Sequence, residues 1–197
     1  MNTIEKAIEE STTRLEELLI KTEAKLAWNE RDLQFLLGGV LQENLQKAVD
    51  PEILMHYDIP LSLAEYWWGG SWAKAIQPAL RAALKEIPGG TPKIDLLAYK
   101  DTRNTANPLF PLLGEVKFPA TYEGSTLNDE KYKRDFKKDL DKMSALKKHG
   151  LAAECCFFCV QLKEQERKGV FETLFTKYRT KLQVHSVSIP RKFVDNH

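Results

Sequence analysis

Two short apolar runs, each carrying an acid, constrain this chain more than any other feature. They lie within residues 93–118, KIDLLAYKDTRNTANPLFPLLGEVKF. Ile94 to Tyr99 and Leu112 to Phe118 are rich in strand formers, and the DTRNTANP between them is turn and loop chemistry. The stretch therefore predicts two strands joined by a polar loop. Acids are poor strand residues, so Asp95 and Glu115 require a cause. In an antiparallel hairpin the position numbers of paired residues add to a constant. A loop centred near Thr105 sets Asp95 opposite Glu115. Alternation then puts Lys117 on the face of Glu115 and turns Val116 the other way, into a core. Two adjacent carboxylates repel unless a divalent cation lies between them, and oxygen ligands of this kind suit magnesium or manganese. A lysine beside them can orient or deprotonate an attacking water, or stabilise charge on a phosphate. The bland alternative is an exposed hairpin with a surface ion pair.

Asp95, a gap, then Glu115-Val116-Lys117 on the following strand resembles the PD-(D/E)xK nuclease superfamily. The match departs from the pattern at Ile94, which stands where the motif has proline; Pro92 is the nearest. The resemblance implies a restriction-endonuclease-like α/β core: a helix, a three-stranded antiparallel meander, a second helix and a further strand, with helices on both faces of a mixed sheet. It also implies hydrolysis of phosphodiester bonds with Mg²⁺ or Mn²⁺, of DNA rather than RNA. Asp95 and Glu115 would ligate the metal with the Val116 carbonyl, and Lys117 would position or activate the water. The superfamily often places a glutamate of the first core helix beside the metal. Glu30 is the first choice for that role and Glu43 the second, although acids near a helix start also suit the helix dipole. The second core helix often contributes a basic residue, and Lys138 and Lys142, one turn apart, are candidates to hold a phosphate. A solvated charged face explains them equally well, because Asp129, Glu130, Asp135, Asp139 and Asp141 interleave.

The remainder of the chain fits this order. Residues 3–27 read as an amphipathic helix, with Ile4, Ile8, Leu15, Leu18, Leu19 and Leu26 on one side. Residues 1–28 are thus expected as a helical extension, packed on the core or on a second subunit, and 29–197 as the nuclease-like domain. Asn29 can cap a helix whose buried stripe is Leu33, Leu36, Leu37, Val40, Leu41 and Leu45. Gly38-Gly39 within it would weaken the helix or admit another element closely. MHYDIPLS at 55–62 is the expected first strand, followed by a helical insertion at about 63–90 that carries Trp67, Trp68 and Trp72. Those tryptophans could stack on bases, but more often such a cluster anchors an insertion. Asn128 can cap a basic helix ending at Gly150. LAAECCFFCVQL at 151–162 reads as a doubly buried strand, with Cys156 facing away from Cys155 and Cys159. A charged turn at 163–168, a short helix from Val170 to Tyr178 and a last strand, LQVHSVSIP, complete the chain, with His185 in a structural place.

Composition adds bounds. A chain of 197 residues with 43% hydrophobic and 29% charged residues is enough for one domain with a real core. A net charge of +1 advertises no bulk affinity for nucleic acid, so any such binding must come from local clustering. Three bunched cysteines are no disulfide framework, and no apolar run approaches a membrane span. A cytoplasmic protein without a membrane partner is expected. A homodimer could set two sites on opposite strands. Two further readings stay open. One is a catalytically silent member of the same fold that binds nucleic acid or protein. The other is an interaction protein of an unrelated α/β fold, using the N-terminal helix and tryptophan patch.

Overall fold

The computed structural model describes residues 2–23, 29–61, 71–87, 92–100, 110–118 and 129–190, without the side chains of 71–75. The loops at 101–109 and 119–128, the Asn128 cap, Leu26, Trp67 and Trp68 lie outside the described residues, as does the Trp72 side chain. In chain order the elements are α1 (Thr3–Lys21), α2 (Glu30–Ala48), β1 (Leu54–Pro60), α3 (Ser71–Glu86), β2 (Lys93–Tyr99), β3 (Phe110–Lys117), α4 (Asp129–Lys148), β4 (Ala152–Leu162), α5 (Lys163–Arg167), α6 (Glu172–Arg179) and β5 (Gln183–Ile189).

The five strands form one mixed sheet in the order β1-β2-β3-β4-β5. β1, β2 and β3 pair antiparallel, while β3-β4 and β4-β5 pair parallel. The β2-β3 register, Leu96 with Gly114 and Leu97 with Leu113, continues by one residue to set Asp95 opposite Glu115. The expected α/β architecture with a mixed sheet is therefore present. The charged turn expected at 163–168 is instead the short helix α5. Its buried Gln165 accepts the Leu162 N–H at 3.0 Å and donates to Asp129 at 2.9 Å, joining the end of β4 to the start of α4.

Two apolar layers sandwich the sheet. One joins α1 and α2 to the sheet through Ile8, Leu15, Leu19, Leu33, Leu37 and Leu41, against Leu96, Leu112 and Val116. The N-terminal helix thus shares the core of the sheet. The other layer joins α3, α4 and α6 to Leu97, Leu113, Cys155, Phe157 and Cys159. Cys156 sits in the first layer, as strand alternation requires. Phe136 of α4 meets Phe157 with centroids 5.5 Å apart and Phe171 at 4.9 Å. Each such buried ring contributes roughly 1.5–3 kcal/mol, and together they seat α4 against the sheet.

Asn29 caps α2, accepting the backbone N–H groups of Arg31 and Asp32 at 2.8 and 3.0 Å. The two glycines of α2 play different parts. A Cβ at Gly38 would lie 2.6 Å from the Tyr57 hydroxyl, whereas one at Gly39 would meet nothing within 4 Å. Gly38→Ala is expected to lower stability by about 1–3 kcal/mol through overpacking, while Gly39→Ala raises it by up to about 1 kcal/mol. Thermal melting of the two variants checks the opposite signs.

Candidate active site

The site stands where β2, β3, α4 and the first turn of α2 meet. Strand alternation puts Asp95 and Leu97 of β2, and Leu113, Glu115 and Lys117 of β3, on the face toward α4. Val116 turns into the opposite layer and is fully buried. Asp95 is 8% exposed and Glu115 3%. The Asp95 carboxylate reaches across to accept the Val116 N–H at 2.8 Å, which ties the two acid-bearing strands together.

Lys117 gathers carboxylates from three other places. Its Nζ lies 3.4 Å from Glu115 Oε1, 3.2 Å from Glu30 Oε1 and 3.3 Å from Asp139 Oδ2. Glu30 is the first residue of α2, and its other oxygen accepts the Phe118 N–H at 3.3 Å. The Asn29 cap starts the helix beside the end of β3, which brings Glu30 within reach.

Lys142 closes the cluster from the other side. Its Nζ donates to Glu115 Oε2 at 2.6 Å and to the Lys93 carbonyl at 2.9 Å, and stands 3.2 Å from Asp139 Oδ1. Glu115 and Asp139 each give one oxygen to each lysine, so the four side chains form a ring in which carboxyl and ammonium groups alternate. Counting Glu30 and Asp95, four carboxyl groups face two ammonium groups.

Burial governs the electrostatics. Desolvation pushes Glu115 up to about 8 and outweighs the pull of Lys142; Asp95 and Asp139 add to the rise, and Lys117 opposes it. For Lys117 the balance runs the other way. Burial acts to lower its pKa, but Glu115, Glu30, Asp139 and Asp95 together raise it above the ordinary lysine value. Lys142 behaves likewise, with Glu115 and Asp139 overcoming desolvation. Both lysines are therefore cations at neutral pH.

The structure brings Asp95, Glu115, Lys117 and Glu30 together and leaves Glu43 elsewhere. Glu43 is exposed and pairs with Arg14 of α1 at 2.7 Å. Of the two basic candidates on α4, Lys138 is exposed. Lys142 is not a phosphate-facing surface group: it is 7% exposed and committed to the ring. The denser cationic surface of α4 is Lys133, Arg134 and Lys137, which with Lys168 and Lys177 lines a cleft of about 760 Å³. Sequence reasoning missed Asp139, counting it among the interleaved surface acids. Its signal was the spacing to Lys142, one helical turn on, beside the buried stripe of Leu140, Met143 and Leu146. On the other side of β2, the exposed Asp58 of β1 stands between the pairs Tyr57–Leu96 and Ile59–Ile94, hence opposite Asp95, with φ +52°. Left-handed backbone is strained for a residue with a Cβ, and Asp tolerates it better than most.

His185 stacks on Phe158 with centroids 5.4 Å apart, and burial pushes it down to about 4. The three cysteines are buried and free, and burial pushes Cys155 up to about 12. No helix among the described residues is long and apolar enough to cross a membrane.

The oxygen donors of Asp95, Glu115, Glu30 and Asp139 fit a hard divalent cation chemically. As they stand, no three acids, histidines or cysteines among the described residues converge closely enough to hold one. The two ammonium groups account for this, since each oxygen of Glu115 and Asp139 faces a lysine. Comparison with protein-family models, curated proteins and solved structures returned no match.

Proposed function

We propose that this chain is a divalent-metal-dependent nuclease with a restriction-endonuclease-like core, hydrolysing phosphodiester bonds and acting on DNA. The observation that supports it most is the convergence on Lys117 of Glu115, Glu30 and Asp139 beside the Asp95–Glu115 pair. Drawing Asp95, Glu115, Lys117 and Lys142 out of water opposes folding, which a purely structural role does not require, and strongly perturbed ionisable groups cluster where chemistry is done.

Asp95 and Glu115, with the Val116 carbonyl, would hold magnesium or manganese, and Glu30 would complete the shell. When bound, such an ion polarises a phosphate oxygen and makes the attacking water more acidic. Lys117 remains a cation and so serves by hydrogen bonding: it orients the water and offsets negative charge gathering on the phosphate. Asp139 and Lys142 are positioning residues that set the direction of the Glu115 and Lys117 side chains. Asp95 fixes the spacing of the strands through the Val116 N–H.

One observation favours a second reading, a silent copy of the fold that binds nucleic acid or protein. The lysines already neutralise Glu115 and Asp139, as a purely structural ion-pair network would. Purified protein incubated with plasmid, linear duplex, single-stranded DNA and RNA separates the two. Cleavage that requires Mg²⁺ or Mn²⁺, is abolished by EDTA and is lost in Asp95→Asn supports the nuclease. Calorimetry should then show weaker Mn²⁺ uptake by Asp95→Asn. Failure to cut any substrate, combined with no Mn²⁺ uptake by the parent, favours the silent copy.

A further inference from the structure

Beyond Glu30, α2 presents an aromatic ring to solvent. Phe35 is 48% exposed, while the apolar side of its helix is buried at Leu33, Leu37, Leu41 and Leu45. A phenylalanine so placed gains little from the core, and its surroundings are nevertheless built. Tyr57 of β1 lies against it with centroids 4.8 Å apart and planes at 49°. Tyr57 is seated over Gly38, whose missing Cβ leaves room for that ring. Arg31, one turn before Phe35, holds its guanidinium 5.8 Å from the ring centre and is itself exposed. The result is a half-exposed ring with a second aromatic against it and the exposed Arg31 guanidinium over it, a side chain that can swing off the ring toward a phosphate.

We propose that Phe35 is a stacking platform for an unpaired nucleobase of the strand handled at the Asp95, Glu115 and Lys117 centre, with Arg31 taking a neighbouring phosphate. This rests on the nuclease reading of that centre. Glu30 lies in the centre, and Phe35 is five positions further along α2, a rise of about 7.5 Å and a turn of about 140° around the helix, so a short length of single strand leaving the centre has to wrap the start of α2 to reach it. Every base has a π-face, so an exposed ring accepts any of them without sequence preference, and the guanidinium that covers it in the free protein matches the phosphate charge once displaced. A base inside a duplex has both faces covered by its neighbours. The platform therefore selects single strands, flaps or frayed ends over continuous duplex.

The test measures anisotropy of a labelled single-stranded oligonucleotide and of a blunt duplex with Mg²⁺. All proteins carry Lys117→Ala, which keeps the substrate uncut. Adding Phe35→Ala is expected to weaken single-strand binding by about 5- to 150-fold, leave duplex binding unchanged, and leave the melting temperature intact. Phe35→Trp should restore single-strand affinity. Equal losses on both substrates, or no loss on either, overturn the platform. So does sedimentation in which the parent is a dimer and Phe35→Ala a monomer, because the ring then belongs to a contact between copies. Cleavage in the Lys117 background distinguishes the two levels. A parent that cuts, paired with a Phe35→Ala variant that binds single strands normally, overturns the platform and leaves the nuclease standing. A parent that neither binds nor cuts nucleic acid overturns both.

Discussion

Replacing Lys117 by alanine is expected to lower metal-dependent cleavage by roughly 10²- to 10⁴-fold, the range that loss of a positioned proton donor or electrostatic stabiliser produces. Among the described residues, Lys117 is the one side chain that touches Glu115, Glu30 and Asp139 together, so no described neighbour supplies its charge from the same place. Lys142 is the other cation in the cluster, but its ammonium already donates to Glu115 and to the Lys93 carbonyl. The variant should keep the fold, because the apolar layers are untouched and Lys142 still pairs with Glu115 and Asp139. It should also retain nucleic-acid binding, since contacts to the phosphate backbone are shared among many groups. A single-turnover assay on whichever substrate the parent cuts gives the number. Cleavage at the parent rate would place the chemistry elsewhere.

The largest stability effect is expected at Lys142. Lys142→Met keeps much of the apolar stem but leaves Glu115 and Asp139 with only one of their two shared lysines and the Lys93 carbonyl without its donor. Breaking a buried pair from one side costs about 3–5 kcal/mol. The loss should depend on pH with a definite sign. Glu115 is raised to about 8 in the folded protein from an ordinary value of 4.5. Between those values the folded state holds a proton that the unfolded chain has released, so stability is greatest at the acid end and falls as pH rises to about 8. Without Lys142 the Glu115 pKa rises further, and the decline extends to higher pH. The raised pKa values of Lys117 and Lys142 act in another window. Their contribution is present below the ordinary lysine value and is lost only at strongly alkaline pH. Thermal melts in EDTA from pH 5 to 9 should show Lys142→Met closest to the parent at the acid end. The double variant Lys142→Met with Glu115→Gln should recover much of the loss and flatten the profile. A pH-independent loss in Lys142→Met would mean that packing of the stem, and not the charge, is what Lys142 contributes.

Much of this arrangement was legible before any coordinates. The strand alternation that turns Val116 inward, the Asn29 cap and the opposite faces of Cys155 and Cys156 are all settled by residues a few positions apart. So was the pairing of Asp95 with Glu115, because a hairpin register follows from the position of its loop. The choice of Glu30 over Glu43 was a ranking borrowed from a resemblance. The structure separates the two: Glu30 meets Lys117 and the Phe118 N–H, while Glu43 is engaged by Arg14 of α1.

The sequence by itself determined the succession of elements and which residues of each strand share a face. Those properties come from backbone geometry of period 2 or 3.6 acting on neighbours. Tertiary structure alone decided which charges meet. Lys117 and Glu30 are 87 residues apart and Lys142 and Glu115 are 27 apart, and no local period links them. The aromatic layer of Phe136, Phe157 and Phe171 presses α4 onto the sheet, and that contact draws Lys142 and Asp139 out of an apparently solvated face into the ring. Low solvent access then does what no sequence pattern encodes: it raises Glu115, while the carboxylates gathered around them hold both lysines charged against the same burial.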